Sequence, residues 1–229
     1  MDCVNNEKIY LNNIFIIDWD DTLFPTTWVN ENSINLNSPE SVNDYKLYFI
    51  ELDKAISSLL ATLNNMGQVY IVTNANINWI KACLNVLVET KKTIIKFNIR
   101  IVSARDMYSS TTSSPTEWKI NTFQDILKNV IFKMEANVRG ALPNTKAPRL
   151  SNTFINIISL GDAQYEYMAL LNLDSYFKSD DKNINYLLKS IKFIDKPSFD
   201  YVIDQLQVVR KSSSQIVNKL GYVDLKFRE

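Results

Sequence analysis

The chain has 229 residues, enough for one α/β domain with a real core, and its 25 basic and 25 acidic side chains cancel, so no global field steers it toward nucleic acid or an acidic membrane. Histidine is absent, which removes Ser-His-Asp and Cys-His catalysis, histidine bases and every histidine-containing zinc site. The glycines Gly67, Gly140, Gly161 and Gly221 are too scattered for a P-loop or a dinucleotide fingerprint, and Cys3 and Cys83 lack metal spacing and are expected as reduced thiols.

The opening MDCVNNEKIY does not read as a signal peptide, and no apolar run approaches the roughly 20 residues a bilayer span needs. A soluble, intracellular protein is expected, cytoplasmic in the first place and with a nuclear location left open. Ile14, Phe15, Ile16 and Ile17 then form a β-branched and aromatic run, which predicts a strand buried on both faces. It stops in acid: Asp18, Asp20 and Asp21 crowd into four positions, and carboxylates so placed repel one another unless a cation or phosphoryl chemistry uses them. Residues two apart on extended chain point the same way, so Asp18 and Asp20 are expected to address one ligand. Trp19 and Trp28 read as core aromatics, with a pocket wall as the other option.

Residues 23–39 read as irregular, with Pro25 and Pro39 as breakers, and apolar spacing predicts a helix over about 42–65 that Gly67 ends. A second strand over 69–72 closes at Thr73 and Asn74, and a single helix is expected from about 76 to 92. A third strand over 99–102 leads into a loop over 103–118, and Lys119 opens the next helix, to about 137. An irregular insert over 138–151 carries the unopposed charges Arg139, Lys146 and Arg149. The run 154–160 predicts a fourth strand ending at Gly161 and Asp162; 163–173 reads as helix, 175–177 and 192–194 as short strands, and 198–220 as a final helix. Alternation of strand and helix predicts a single α/β domain on a mostly parallel sheet, with inserts over about 23–41, 103–118 and 138–151.

Three strands stop alike: at Asp18, at Thr73 and at Asp162. In a parallel sheet with right-handed crossovers those ends share one edge, where open α/β folds bind ligands. Thr73 and Asp162 taken singly would serve as ordinary helix caps. That account does not reach the Asp18, Asp20 and Asp21 cluster.

DWDDTLFP, with Asp18, Asp20 and Thr22, resembles the DxDxT signature of the haloacid dehalogenase (HAD) superfamily, which is dominated by phosphatases. VYIVTNAN with Thr73, then Lys119, then LGDAQYE with Asp162 and Glu166, resemble its later motifs in order. The resemblance implies a three-layer, Rossmann-like domain in which Asp18 attacks phosphorus to form an aspartyl-phosphate and Asp20 serves as general acid, then base. It implies that Mg²⁺ is held by the Asp18 carboxylate, the Asp20 main-chain carbonyl and Asp162, and that Thr73, with the adjoining Asn74, and Lys119 bind phosphoryl oxygens. Glu166 stands where aspartate is commoner and either reaches the metal through water or supports Lys119. Thr22 orients the acidic loop. Asp21 replaces a frequent glycine and receives no role.

Lys119 competes with an ordinary solvated lysine as its reading, and Lys128 and Lys133 lie deeper in the same helix. Arg105 either reaches substrate from the site edge or pairs with Asp106. The gaps around Thr73 are too short for a folded cap domain, so the resemblance implies a capless or minimally capped member, open to a phosphoprotein or a nucleic-acid end. The basic insert runs from helix to strand, on the opposite edge, which suits a partner better than substrate phosphate. Three rivals stand beside this reading. A receiver domain carries its acceptor aspartate later and has no acidic motif after its lysine; a phosphotransferase uses the same residues; a non-catalytic scaffold has no use for mutually repelling carboxylates.

Overall fold

A computed structural model describes residues 10–140, 153–179 and 184–228. β1 (Tyr10–Ile17) carries the expected apolar run and extends further back. After it come α1 (Thr26–Glu31), α2 (Pro39–Asp44) and α3 (Lys46–Asn64), then β2 (Gln68–Thr73), α4 (Ile77–Val86), α5 (Val88–Lys96) and β3 (Arg100–Ser103). The second half supplies α6 (Ala104–Tyr108), α7 (Pro115–Gly140), β4 (Thr153–Gly161), α8 (Gln164–Ser179), β5 (Asn185–Lys192), α9 (Phe199–Asn218) and β6 (Val223–Lys226).

The six strands form one sheet in the order β3-β2-β1-β4-β5-β6, and every pairing is parallel. The alternation of strand side chains feeds two cores. Phe15 and Ile17 of β1 and Ile71 of β2 pack with α3, α4, α5 and α9 on one face, while Ile14, Ile16 and Val72 pack with α6, α7 and α8 on the other. Each such fully buried aliphatic side chain contributes about 1.5–3 kcal/mol, so the central strands anchor both layers. The result is a three-layer, Rossmann-like α/β sandwich. The segments between β1 and β2, and between β2 and α7, lie in these layers, and none forms a separate cap.

Several elements differ from the sequence reading for local reasons. The helix expected over 76–92 is broken at Leu87, which leaves helical geometry and is fully buried, while the Asp53 carboxylate of α3 accepts from Glu89 N at 2.8 Å and Thr90 N at 2.6 Å. Those are orphan donors of a new helix, so α5 starts there. The helix expected from residue 42 begins earlier, with Ser38 capping Pro39–Asp44, and is interrupted at Tyr45. The run 23–39 contains α1, and the loop over 103–118 contains α6 and the first turn of α7, which starts on Pro115, so Lys119 lies inside its helix.

The strand expected over 175–177 is helix, because Leu170, Leu173 and Phe177 follow helical spacing and are all buried in α8. The strand expected at 192–194 is replaced by β5, which ends at Lys192. A buried lysine in mid-strand, Lys189, hid β5 from a reading by apolar runs, and short, largely exposed β6 offered no pattern. Within the insert expected over 138–151, α7 continues through Gly140; Lys146 and Arg149 lie outside the described residues, as does the partner role suggested for them with Arg139. No helix among the described residues is long and apolar enough to cross a membrane.

Candidate functional site

Sheet order reverses between β1 and β4: the chain runs from β1 outward through β2 and β3, then returns beside β1 and runs outward through β5 and β6. At such a switch point the loops beyond the strand ends part, leaving a crevice. Asp18 follows β1 and Asp162 follows β4, and the Asp18 backbone N–H still donates to Leu160 O at 2.9 Å, so the two loops leave side by side.

Lys119 reaches the carboxyl ends of these strands from α7. Its ammonium donates to Asp18 Oδ1 at 2.5 Å and to Val72 O at 2.6 Å, and it pairs with Glu166 Oε1 at 2.8 Å, with only 1% of the residue exposed. All three ammonium protons therefore have acceptors, as a buried charge requires. Burial would lower the Lys119 pKa, but Asp18 and then Glu166 outweigh it and hold it raised, so Lys119 remains charged. For Asp18, burial raises the carboxyl well above its ordinary value; Lys119 opposes the rise and Glu166, Asp20 and Asp162 add to it. Lys119 is therefore an ion-paired centre, not a solvated helix lysine.

Glu166, in the first turn of α8, folds back beneath the end of β4. Gly161 makes this possible: a Cβ there would sit 2.4 Å from Glu166 Cγ and 2.7 Å from Oε2. Glu166 Oε2 is buried without a hydrogen-bond partner. Thr22, fully buried, donates to Asp162 Oδ1 at 3.3 Å and ties the two acidic loops together. Burial, then Glu166 and Asp21, push the Asp162 carboxyl up to about 7.

The Asp20 carboxylate is held by a separate set of donors. Its Oδ1 accepts from Thr26 Oγ1 at 2.6 Å and from Trp79 Nε1 at 2.8 Å, and its Oδ2 accepts from Thr73 Oγ1 at 3.0 Å. Thr73 is thus turned toward Asp20 and also accepts from Ala75 N at 2.9 Å. Asn74 Nδ2 donates to Pro115 O at 3.2 Å, securing the start of α7. Asp21 adopts a left-handed backbone with φ of 51°, a region that residues other than glycine seldom enter. Its carboxylate accepts from Thr27 N and Oγ1 at 2.8 and 2.5 Å, so Asp21 anchors α1.

Some contributors carried no signal in the sequence. Thr26 and Trp79 sit in different helices, and only folding carries both to Asp20. Lys192, at the end of β5, donates to the Asp162 carbonyl. Conversely, Asp106 caps α4 by accepting from Ile77 N at 2.9 Å, and Trp19 is fully buried and stacks on Phe24. Trp28 packs among Tyr45, Tyr48, Phe49 and Phe199. Trp19 is therefore core, and Trp28 is half-buried against that core.

The donor set suits a hard divalent cation in kind. Asp18 and Asp162 offer carboxylate oxygens at the switch point, and burial first, with the neighbouring acids adding to it, raises both carboxyl pKa values, a cost that a bound cation would relieve. Among the described residues no three Asp, Glu or Cys side chains form a metal cage, in keeping with an Asp20 carboxylate turned toward Thr26 and Trp79. Compared with protein-family models, curated proteins and solved structures, the chain matches none.

Proposed function

We propose that this chain is a Mg²⁺-dependent phosphomonoester hydrolase that works through a phosphoaspartate at Asp18. The observation that carries the reading is the buried Lys119 ammonium joining Asp18 to Glu166 at the end of β1, beside Asp162. The order of motifs in the sequence, resembling the HAD superfamily, points to the same chemistry.

In this reading Lys119 holds Asp18 Oδ1, so Oδ2 attacks phosphorus as the bond to the leaving oxygen breaks. Asp20 gives that oxygen its proton. Asp20 then takes a proton from water, whose oxygen attacks phosphorus and frees Asp18 with release of inorganic phosphate. Lys119 and Glu166 keep the nucleophile's orientation through both steps, preorganisation being the larger part of phosphoryl-transfer catalysis. Asp18, Asp162 and the Asp20 carbonyl would hold Mg²⁺, which supplies Lewis-acid polarisation and offsets repulsion between carboxylate and phosphate. With no separate cap over the crevice, a phosphorylated macromolecule, a phosphoprotein or a nucleic-acid end, suits the site better than an enclosed metabolite.

Hydrolysis of p-nitrophenyl phosphate with Mg²⁺, with EDTA and with Asp18→Asn tests this. Turnover that EDTA abolishes and that the substitution lowers by about a thousandfold or more is expected. A folded wild type no faster than Asp18→Asn would favour a non-catalytic scaffold instead.

A further inference from the structure

We propose that Trp79 and Thr26 are positioning residues that fix which oxygen of Asp20 handles the proton; this rests on the hydrolase reading above. Three donors converge on one carboxylate, and they are chemically unequal. The Trp79 indole N–H, 2.8 Å from Oδ1, can donate and never accept. Thr26 Oγ1 adds a second donor to the same oxygen at 2.6 Å. Oδ1 is thereby an acceptor in every state of the reaction.

Among the described residues, Oδ2 accepts from the Thr73 hydroxyl alone, at 3.0 Å. A hydroxyl can rotate and exchange the donor role for the acceptor role, and the Ala75 N–H that reaches Thr73 Oγ1 at 2.9 Å supports the oxygen in either state. Oδ2 is therefore the oxygen that carries the proton to the leaving group. The frame is rigid: Trp79 meets Phe24 edge-on at 5.9 Å between ring centroids, and Phe24 stacks on the buried Trp19. Asp20 is thus braced from two helices, α1 and α4, neither of which contributes Asp18, Lys119, Asp162 or Glu166.

The test compares kcat/KM for p-nitrophenyl phosphate, whose leaving group departs with little help, and for an alkyl phosphate, whose alkoxide needs a proton. This parameter reports the steps through leaving-group departure and excludes the later attack of water. Trp79→Phe, which keeps a ring against Phe24, and Thr26→Val are expected to lower the alkyl-to-aryl ratio at least fivefold, while Thr26→Ser retains the wild-type ratio. Ratios within twofold of an active wild type in both Trp79→Phe and Thr26→Val would overturn the positioning role and leave the hydrolase reading standing. A wild type inactive on both substrates would overturn the two together. Should Trp79→Phe fail to fold by circular dichroism, the Thr26→Val and Thr26→Ser pair decides.

Discussion

Replacing Lys119 with methionine keeps the chain's bulk in α7 and removes the charge. Asp18 Oδ1 and Glu166 Oε1 flank the ammonium at 2.5 and 2.8 Å, so they lie no more than about 5.3 Å apart, with both residues buried. Without the cation, two charges about 5 Å apart repel by about 3 kcal/mol at an effective dielectric constant of about 20. Val72 O also loses its donor, which adds about 1 kcal/mol. The sum matches the about 3–5 kcal/mol usual when one partner of a buried pair is deleted. Since whole domains hold only about 5–15 kcal/mol, the variant should unfold at much lower urea concentration. Urea titration followed by tryptophan fluorescence at pH 7 measures it. A double variant with Glu166→Gln should recover about 2 kcal/mol relative to the sum of the single effects, because one of the two like charges is gone. A Lys119→Met loss below about 1 kcal/mol, or strict additivity with Glu166→Gln, would refute the buried-pair account.

Other consequences can be measured on the same protein. Gly161→Ala places a Cβ against Glu166 and should destabilise by about 1–3 kcal/mol; in a Glu166→Ala background the same change should cost little, as paired chemical denaturation would show. Asp53→Ala leaves the N–H groups of Glu89 and Thr90 without their acceptor and should cost about 1–2 kcal/mol, with early loss of amide protection in α5 by hydrogen exchange. Lys189 is fully buried in β5, its ammonium donating to the carbonyls of Ile216 and Val217 at 2.7 and 2.8 Å, and burial lowers its pKa to about 8. Between about pH 8 and 10 the unfolded chain keeps a proton that the native one has released, so native stability rises with pH there. Below about pH 8 both forms are protonated and the gain is absent. Relative to Lys189→Met, the wild type should gain on the order of 1–2 kcal/mol from pH 7 to 10, solvent screening included; a flat difference would show that Lys189 titrates normally.

The layout of strands was readable because apolar runs bounded by breakers are a local property. The runs at 14–17, 69–72 and 154–160 needed only composition and spacing, and their shared manner of ending predicted one edge for Asp18, Thr73 and Asp162. The register bears that layout out: β1 pairs with β2 on one side and β4 on the other, and all three run parallel. What periodicity concealed was governed by distant partners. Leu87 breaks a helix because Asp53, 34 positions earlier, receives the next helix's donors. β5 holds a lysine because the end of α9 supplies two carbonyls for it.

Within the candidate site, residue types were legible and their partners were not. The chain alone determined that carboxylates gather after β1 and β4 and that no histidine assists them, since these follow from identity and order along one dimension. Only the tertiary structure decided that Lys119 is enclosed by Asp18 and Glu166, that Gly161 leaves room for Glu166, and that Asp20 turns toward Thr26, Thr73 and Trp79. Hydrogen bonds and ion pairs act over about 3 Å, and which groups come within that distance depends on how the helices cross the sheet.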